Sequence, residues 1–156
     1  MTTRPDDPSE SVTPPRQVLG IKRGLESNGS PPTQHPGRIL LVDDDPKFRQ
    51  ILQSFLELKG FRVITAGSGE DALDQLTHCD PRVVLLDMKM PGMDGLLTLK
   101  HLRISHPNLP VIFVTQMDEE ERINEAGVLG VNDYLIKPFS FEALEAILLT
   151  KVFSKT

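Results

Sequence analysis

Five short runs, at residues 39–42, 62–65, 83–86, 111–114 and 133–136, are mostly rich in Val, Ile or Leu, as strands buried on both faces of a parallel sheet are. Between them the period changes from continuous apolar to helical. Phe48, Ile51, Leu52, Phe55 and Leu56 fall at i, i+3, i+4, i+7 and i+8, a stripe opened by Asp45 as N-cap with Pro46 behind it and closed by Lys59-Gly60. Ser68-Gly69-Glu70-Asp71 opens a second helix around Ala72, Leu73 and Leu76 in the manner of a capping box. Asp94-Gly95 opens a third, carrying Leu96, Leu99 and Leu102. Asp118-Glu119-Glu120-Glu121 opens a fourth with acids at the positive end of its dipole, and Ser140 caps a fifth that carries Leu144, Ile147 and Leu148. Strand and helix alternate five times. That order predicts an α/β fold, a doubly wound parallel sheet with helices on both faces.

Residues 1–36 break the pattern. Proline recurs there among Ser, Asp and Gly with few large apolar residues, so the segment is expected to be a disordered tail, and residues 37–156 to be the globular domain. Within the tail, residues 18–25 form a short apolar and basic island that could dock on a partner or on the domain itself. The remaining chain of a 156-residue protein, 38% hydrophobic overall, has material for one modest core. A formal net charge of -5 without a basic cluster argues against a nucleic-acid surface. Cys79 is the only cysteine, which excludes a disulfide framework and a thiolate zinc site. No run approaches the length of a membrane span and the N-terminus has no apolar signal core, so a cytoplasmic protein with no membrane partner is expected.

In an open parallel sheet, chemistry collects outside the carboxyl ends of the strands. The first strand ends at Asp43-Asp44, the third at Asp87, the fourth at Thr115 and the fifth at Lys137-Pro138. If the first strand is internal, these groups converge. A lone Asp at such a position is most simply a helix cap, but Asp45 already caps the first helix and Asp94 the third, so Asp43, Asp44 and Asp87 have no structural task. Carboxylates so gathered raise one another's pKa unless a cation joins them, and a hard divalent ion such as Mg²⁺ suits oxygen ligands. Asp87 is expected at the exposed mouth as a nucleophile towards phosphorus, Lys137 as an ammonium aimed at an anion, and Thr115 as a hydroxyl donor.

Leu40-Leu41-Val42-Asp43-Asp44-Asp45, Leu85-Leu86-Asp87-Met88-Lys89-Met90-Pro91-Gly92-Met93-Asp94-Gly95, Val114-Thr115 and Asp133-Tyr134-Leu135-Ile136-Lys137-Pro138-Phe139 together resemble the receiver domain of two-component response regulators. The resemblance runs from residue 38 to about 152. It implies a (βα)5 flavodoxin-like three-layer sandwich with a central five-stranded parallel sheet. It implies that Asp87 is a phosphoacceptor supplied by a sensor histidine kinase, a phosphotransfer protein or acetyl phosphate. Mg²⁺ would be held by Asp43, Asp44, Asp87 and the backbone carbonyl of Lys89, with Lys137 and Thr115 on the phosphoryl oxygens and a cis peptide at Lys137-Pro138. Thr115 and Tyr134 would form a switch that repacks the fourth helix, fifth strand and fifth helix against an output protein, in a monomer or weak dimer. No output domain follows in the chain, which suits a stand-alone receiver or one cut from a longer protein. The family usually has a small residue where Gln116 stands, so Gln116 and Met117 are expected to slow loss of the phosphoryl group. Two other classes fit less well: an interaction module that is never phosphorylated, and a small Mg²⁺-dependent phosphohydrolase, for which no second acid adjoins Asp87.

Overall fold

The structure, a computed structural model, describes residues 37–116, 120–131 and 133–152. The tail with its 18–25 island, Met117 and the expected helix opening at Asp118-Glu119 lie outside the described residues. The elements run β1 (Arg38–Val42), α1 (Pro46–Leu58), β2 (Arg62–Ala66), α2 (Gly69–Leu76), β3 (Val83–Asp87), α3 (Gly95–Ser105), β4 (Val111–Thr115), α4 (Glu120–Val128), β5 (Asp133–Ile136) and α5 (Phe141–Val152). All strand pairs are parallel, in the order β2-β1-β3-β4-β5. β1 is internal, beside β3, and the order reverses direction there.

Side chains alternate across each strand, and the two sets build two cores. Leu40, Val42, Val84, Leu86, Val111 and Phe113 pack with Ala72, Leu76, Leu96, Leu99, Leu102 and Ala126 of α2, α3 and α4. Ile39, Leu41, Val83, Leu85, Ile112, Val114 and Leu135 pack with Leu52, Leu56, Leu144 and Leu148 of α1 and α5. Every residue of β3 and β4 is buried, and each such aliphatic side chain contributes about 1.5–3 kcal/mol of transfer free energy.

The caps do what the sequence predicts at four helices. Asp45 accepts from the N–H groups of Lys47 and Phe48, Ser68 from Asp71, Asp94 from Leu97, and Ser140 from Ala143. α1 ends in a Schellman motif: Gly60, at φ 97°, donates to the Glu57 carbonyl and Phe61 to that of Leu56. One member of the α1 stripe departs from expectation. Ile51 is 55% exposed, because α1 meets the sheet along Leu52 and Leu56 with Phe48 and Phe55 at the margins, a strip too narrow to reach it.

Candidate functional site

Register brings the strand ends together. Val42 lies opposite Leu86, which sets Asp43 level with Asp87, and Asp87 in turn pairs with Val114. Thr115 lies opposite Ile136, one residue before Lys137, and the Lys137 N–H donates to the Thr115 carbonyl at 2.8 Å. Alternation sorts these residues by face. Asp43, Asp87 and Lys137 follow Leu41, Leu85 and Leu135, all members of the α1–α5 core. Thr115 and Tyr134 fall in step with the other side: Phe113 and Tyr134 itself pack in the α2–α4 core.

Oxygen atoms of Asp43, Asp44 and Asp87 all lie within 4.8 Å of one another. The Lys137 ammonium stands 3.8 Å from Asp43 Oδ2 and 3.6 Å from Asp87 Oδ1. Asp43 Oδ1 accepts from the Asp45 N–H at 2.9 Å, and the Arg49 guanidinium donates to the Asp43 carbonyl. Asp44 is the exposed member of the set.

Asp87 is a correction. Instead of sitting open at the mouth it is 5% exposed, because it is the last residue of β3 and the following chain folds over it. Met88 and Met90, in the loop between β3 and α3, are buried in the α2–α4 core. The Gly95 N–H donates to the Met88 carbonyl, and a Cβ on Gly95 would lie 2.3 Å from the Asp87 carbonyl oxygen. Only glycine lets α3 start this close to the strand.

Burial, then the neighbouring Asp43 carboxylate, pushes the Asp87 carboxyl up to about 7, against the pull of Lys137. Burial also raises Asp43, opposed by the Asp45 N–H and by Lys137. Three acids beside the Lys137 ammonium and the Arg49 guanidinium still leave the site short of positive charge. Oxygen-only donors with that deficit fit a hard divalent cation better than a soft one.

Tyr134 is half-buried, its hydroxyl lying 3.0 Å from the Ile123 carbonyl and 3.1 Å from that of Val131, so one O–H ties β5 to α4 and to the turn after it. Thr115 is buried, with its hydroxyl 3.3 Å from the Gln116 carbonyl. Lys137-Pro138 is cis. Two ion pairs that sequence reading did not single out join α4 to α3: Arg122 with the capping Asp94, and Lys100 with Glu125 at 3.1 Å.

The sequence matches the response regulator receiver domain family over residues 39–149. The chain belongs to that family. Among curated relatives it is 41% identical over 110 residues to regulatory protein AtoC of Escherichia coli, covering 70% of this chain but 24% of AtoC. It is 37% identical over 107 residues to sporulation initiation phosphotransferase F of Bacillus subtilis, covering 69% of this chain and 86% of that protein. The receiver domain of NtrX from Brucella abortus superposes with a TM-score of 0.71 at 29% identity, covering 75% of this chain and 99% of that one. The receiver thus has the expected doubly wound, flavodoxin-like architecture, and receivers are signalling domains of two-component phosphorelays in which aspartate phosphorylation and Mg²⁺ binding are typical. Among the described residues no helix is long and apolar enough to cross a membrane.

Proposed function

We propose that residues 37–156 form a phosphorylation switch, preceded by a tail over 1–36, in which Asp87 takes a phosphoryl group from a sensor histidine kinase or phosphotransfer protein. The observation that carries this reading is the close set of Asp43, Asp44 and Asp87 with Lys137 between two of them. An Asp87 carboxylate oxygen attacks phosphorus; the new P–O bond forms as the donor's P–N bond, or the P–O bond of acetyl phosphate, breaks, and the electron pair leaves with the donor. Such a transfer asks the protein for position and charge more than for covalent chemistry. Asp43, Asp44, Asp87 and the Lys89 carbonyl are the groups that would hold Mg²⁺, which supplies positive charge to a phosphoryl oxygen when bound. Lys137 neutralises a second oxygen, and the Thr115 hydroxyl donates to a third.

Thr115 and Tyr134 share the face that looks onto α4, so a shift of the hydroxyl towards a phosphorylated Asp87 reaches α4 through the Tyr134 bonds to Ile123 and Val131. Phosphorylation adds charge and acceptors at one end of a two-state element and changes the population of the other. The output contact is a protein docking on α4, β5 and α5, made in the cytoplasm by a monomer or weak dimer without membrane or nucleic-acid contacts of its own. Borohydride reduction of the acyl phosphate followed by peptide sequencing tests the assignment. Conversion of Asp87 to homoserine is expected; a label on any other side chain would overturn it.

A further inference from the structure

Phe48 lies on α1, outside the set of acids, hydroxyl and ammonium described so far. Its ring is in contact with that set all the same. The Lys137 Nζ stands 4.8 Å from the centre of the Phe48 ring, inside the range at which an ammonium is attracted to an aromatic face. Phe139, two residues beyond Lys137, meets the Phe48 ring edge-on at 6.1 Å between centroids and fixes its tilt. The ammonium therefore has carboxylates of Asp43 and Asp87 at 3.8 and 3.6 Å and a ring as a further contact.

From this arrangement we infer that Phe48 is a positioning residue for the phosphoryl-transfer reaction, holding the Lys137 ammonium beside Asp87 through its ring face. Lysine has a flexible four-carbon stem and three rotatable donors, so its charge is easily misplaced. Both ion-pair distances are longer than a hydrogen bond, and the two carboxylates alone pull the ammonium towards either of them. A ring face adds attraction without a lone pair that would compete for the N–H donors, so these remain available to phosphoryl oxygens. The side chain of Phe48 is only half-buried, and it sits at the margin of the α1–α5 core rather than within it. Leucine can supply the same apolar contact; it cannot supply the quadrupole.

The inference rests on Asp87 being the phosphoacceptor, and two measurements separate the two claims. The first follows the rate of Asp87 phosphorylation by acetyl phosphate at saturating Mg²⁺ in wild type, Phe48→Leu, Phe48→Trp and a protein carrying pentafluorophenylalanine at position 48. The fluorinated ring keeps the shape and removes the negative face, so it and Phe48→Leu are expected to be slower by roughly five- to thirty-fold, with Phe48→Trp retaining the rate. A fluorinated protein as fast as wild type would overturn the inference. The second reads the ε-methylene proton shifts of Lys137 by NMR in metal-free protein, where no phosphorylation is involved. An upfield ring-current shift that disappears in Phe48→Leu is expected, and unshifted protons in wild type would overturn the placement. Failure of wild type to take up phosphoryl groups from both acetyl phosphate and a phosphorylated histidine phosphotransfer protein would instead refute the role of Asp87, and the ring-current shift would still decide the Phe48–Lys137 contact.

Discussion

Replacing Asp87 with Asn should make the metal-free receiver more stable, and by an amount that depends on pH. The buried Asp87 carboxyl, crowded by Asp43, is pushed up from 3.8 to about 7 in the folded chain. Below about pH 4 folded and unfolded chains both hold this proton, and the carboxyl is no burden. Between about pH 4 and 7 the unfolded chain gives up the proton while the folded chain keeps it, so stability falls as pH rises. Above that window the charge must be buried on folding, and a shift of this size corresponds to about 4 kcal/mol. The amide that replaces the carboxyl carries no charge at any of these pH values. Urea unfolding in EDTA should therefore show Asp87→Asn more stable by about 4 kcal/mol near pH 8 but by only about 1 kcal/mol near pH 4.5, at an unchanged m-value. Equal gains at both pH values would refute the argument, because a change in packing or hydrogen bonding does not titrate. A loss of stability near pH 8 would refute it as well, by showing that Lys137 already compensates the charge.

Three other outcomes follow from the same contacts. Gly95→Ala places a methyl against the Asp87 carbonyl and the Met88 backbone, so thermal unfolding should show a loss of about 2–3 kcal/mol, with slower phosphorylation because the strand end is displaced. Arg103 donates to the carbonyls of Leu129, His106 and Leu109; Arg103→Met leaves those acceptors without it and should lower stability by about 2–3 kcal/mol in chemical denaturation, without changing Mg²⁺ affinity. Gln116 is exposed and lines a groove of about 450 Å³ with Phe48, Lys137, Pro138, Phe139 and Phe141. Gln116→Ala opens that approach to water, so the phosphorylated lifetime, followed by loss of the mass adduct, should shorten; a wild-type half-life of seconds in Mg²⁺ buffer would remove the premise.

The fold was legible because local signals agreed with each other. Asp45-Pro46, Ser68, Asp94 and Ser140 cap the helices that the apolar periods outline, and the continuous apolar runs become the strands. Three strands run one residue past the apolar runs at their carboxyl ends, to Ala66, Asp87 and Thr115, since the ladder is made by the backbone and does not depend on the side chain. That single residue explains why Asp87 was expected to be exposed and is not. Strand order was not legible, because nothing local distinguishes β1 as a neighbour of β3 from β1 at an edge. Non-local pairs were invisible for the same reason. The Phe48 contact with Lys137 joins two elements almost ninety residues apart, and the Arg122–Asp94 pair joins α4 to the α3 cap. In a sequence Phe48 is one more member of an apolar stripe. Its second use appears only when α1 and the end of β5 are brought side by side.

Phosphorylation of Asp87 is tested most directly by intact-mass spectrometry of the protein after incubation with acetyl phosphate and Mg²⁺, beside Asp87→Asn and an EDTA control. A single added phosphoryl group in wild type, absent from both controls, is the predicted result. An adduct that persists in Asp87→Asn, or none in folded wild-type protein with Mg²⁺ bound when either acetyl phosphate or a phosphorylated histidine phosphotransfer protein is offered, would contradict it.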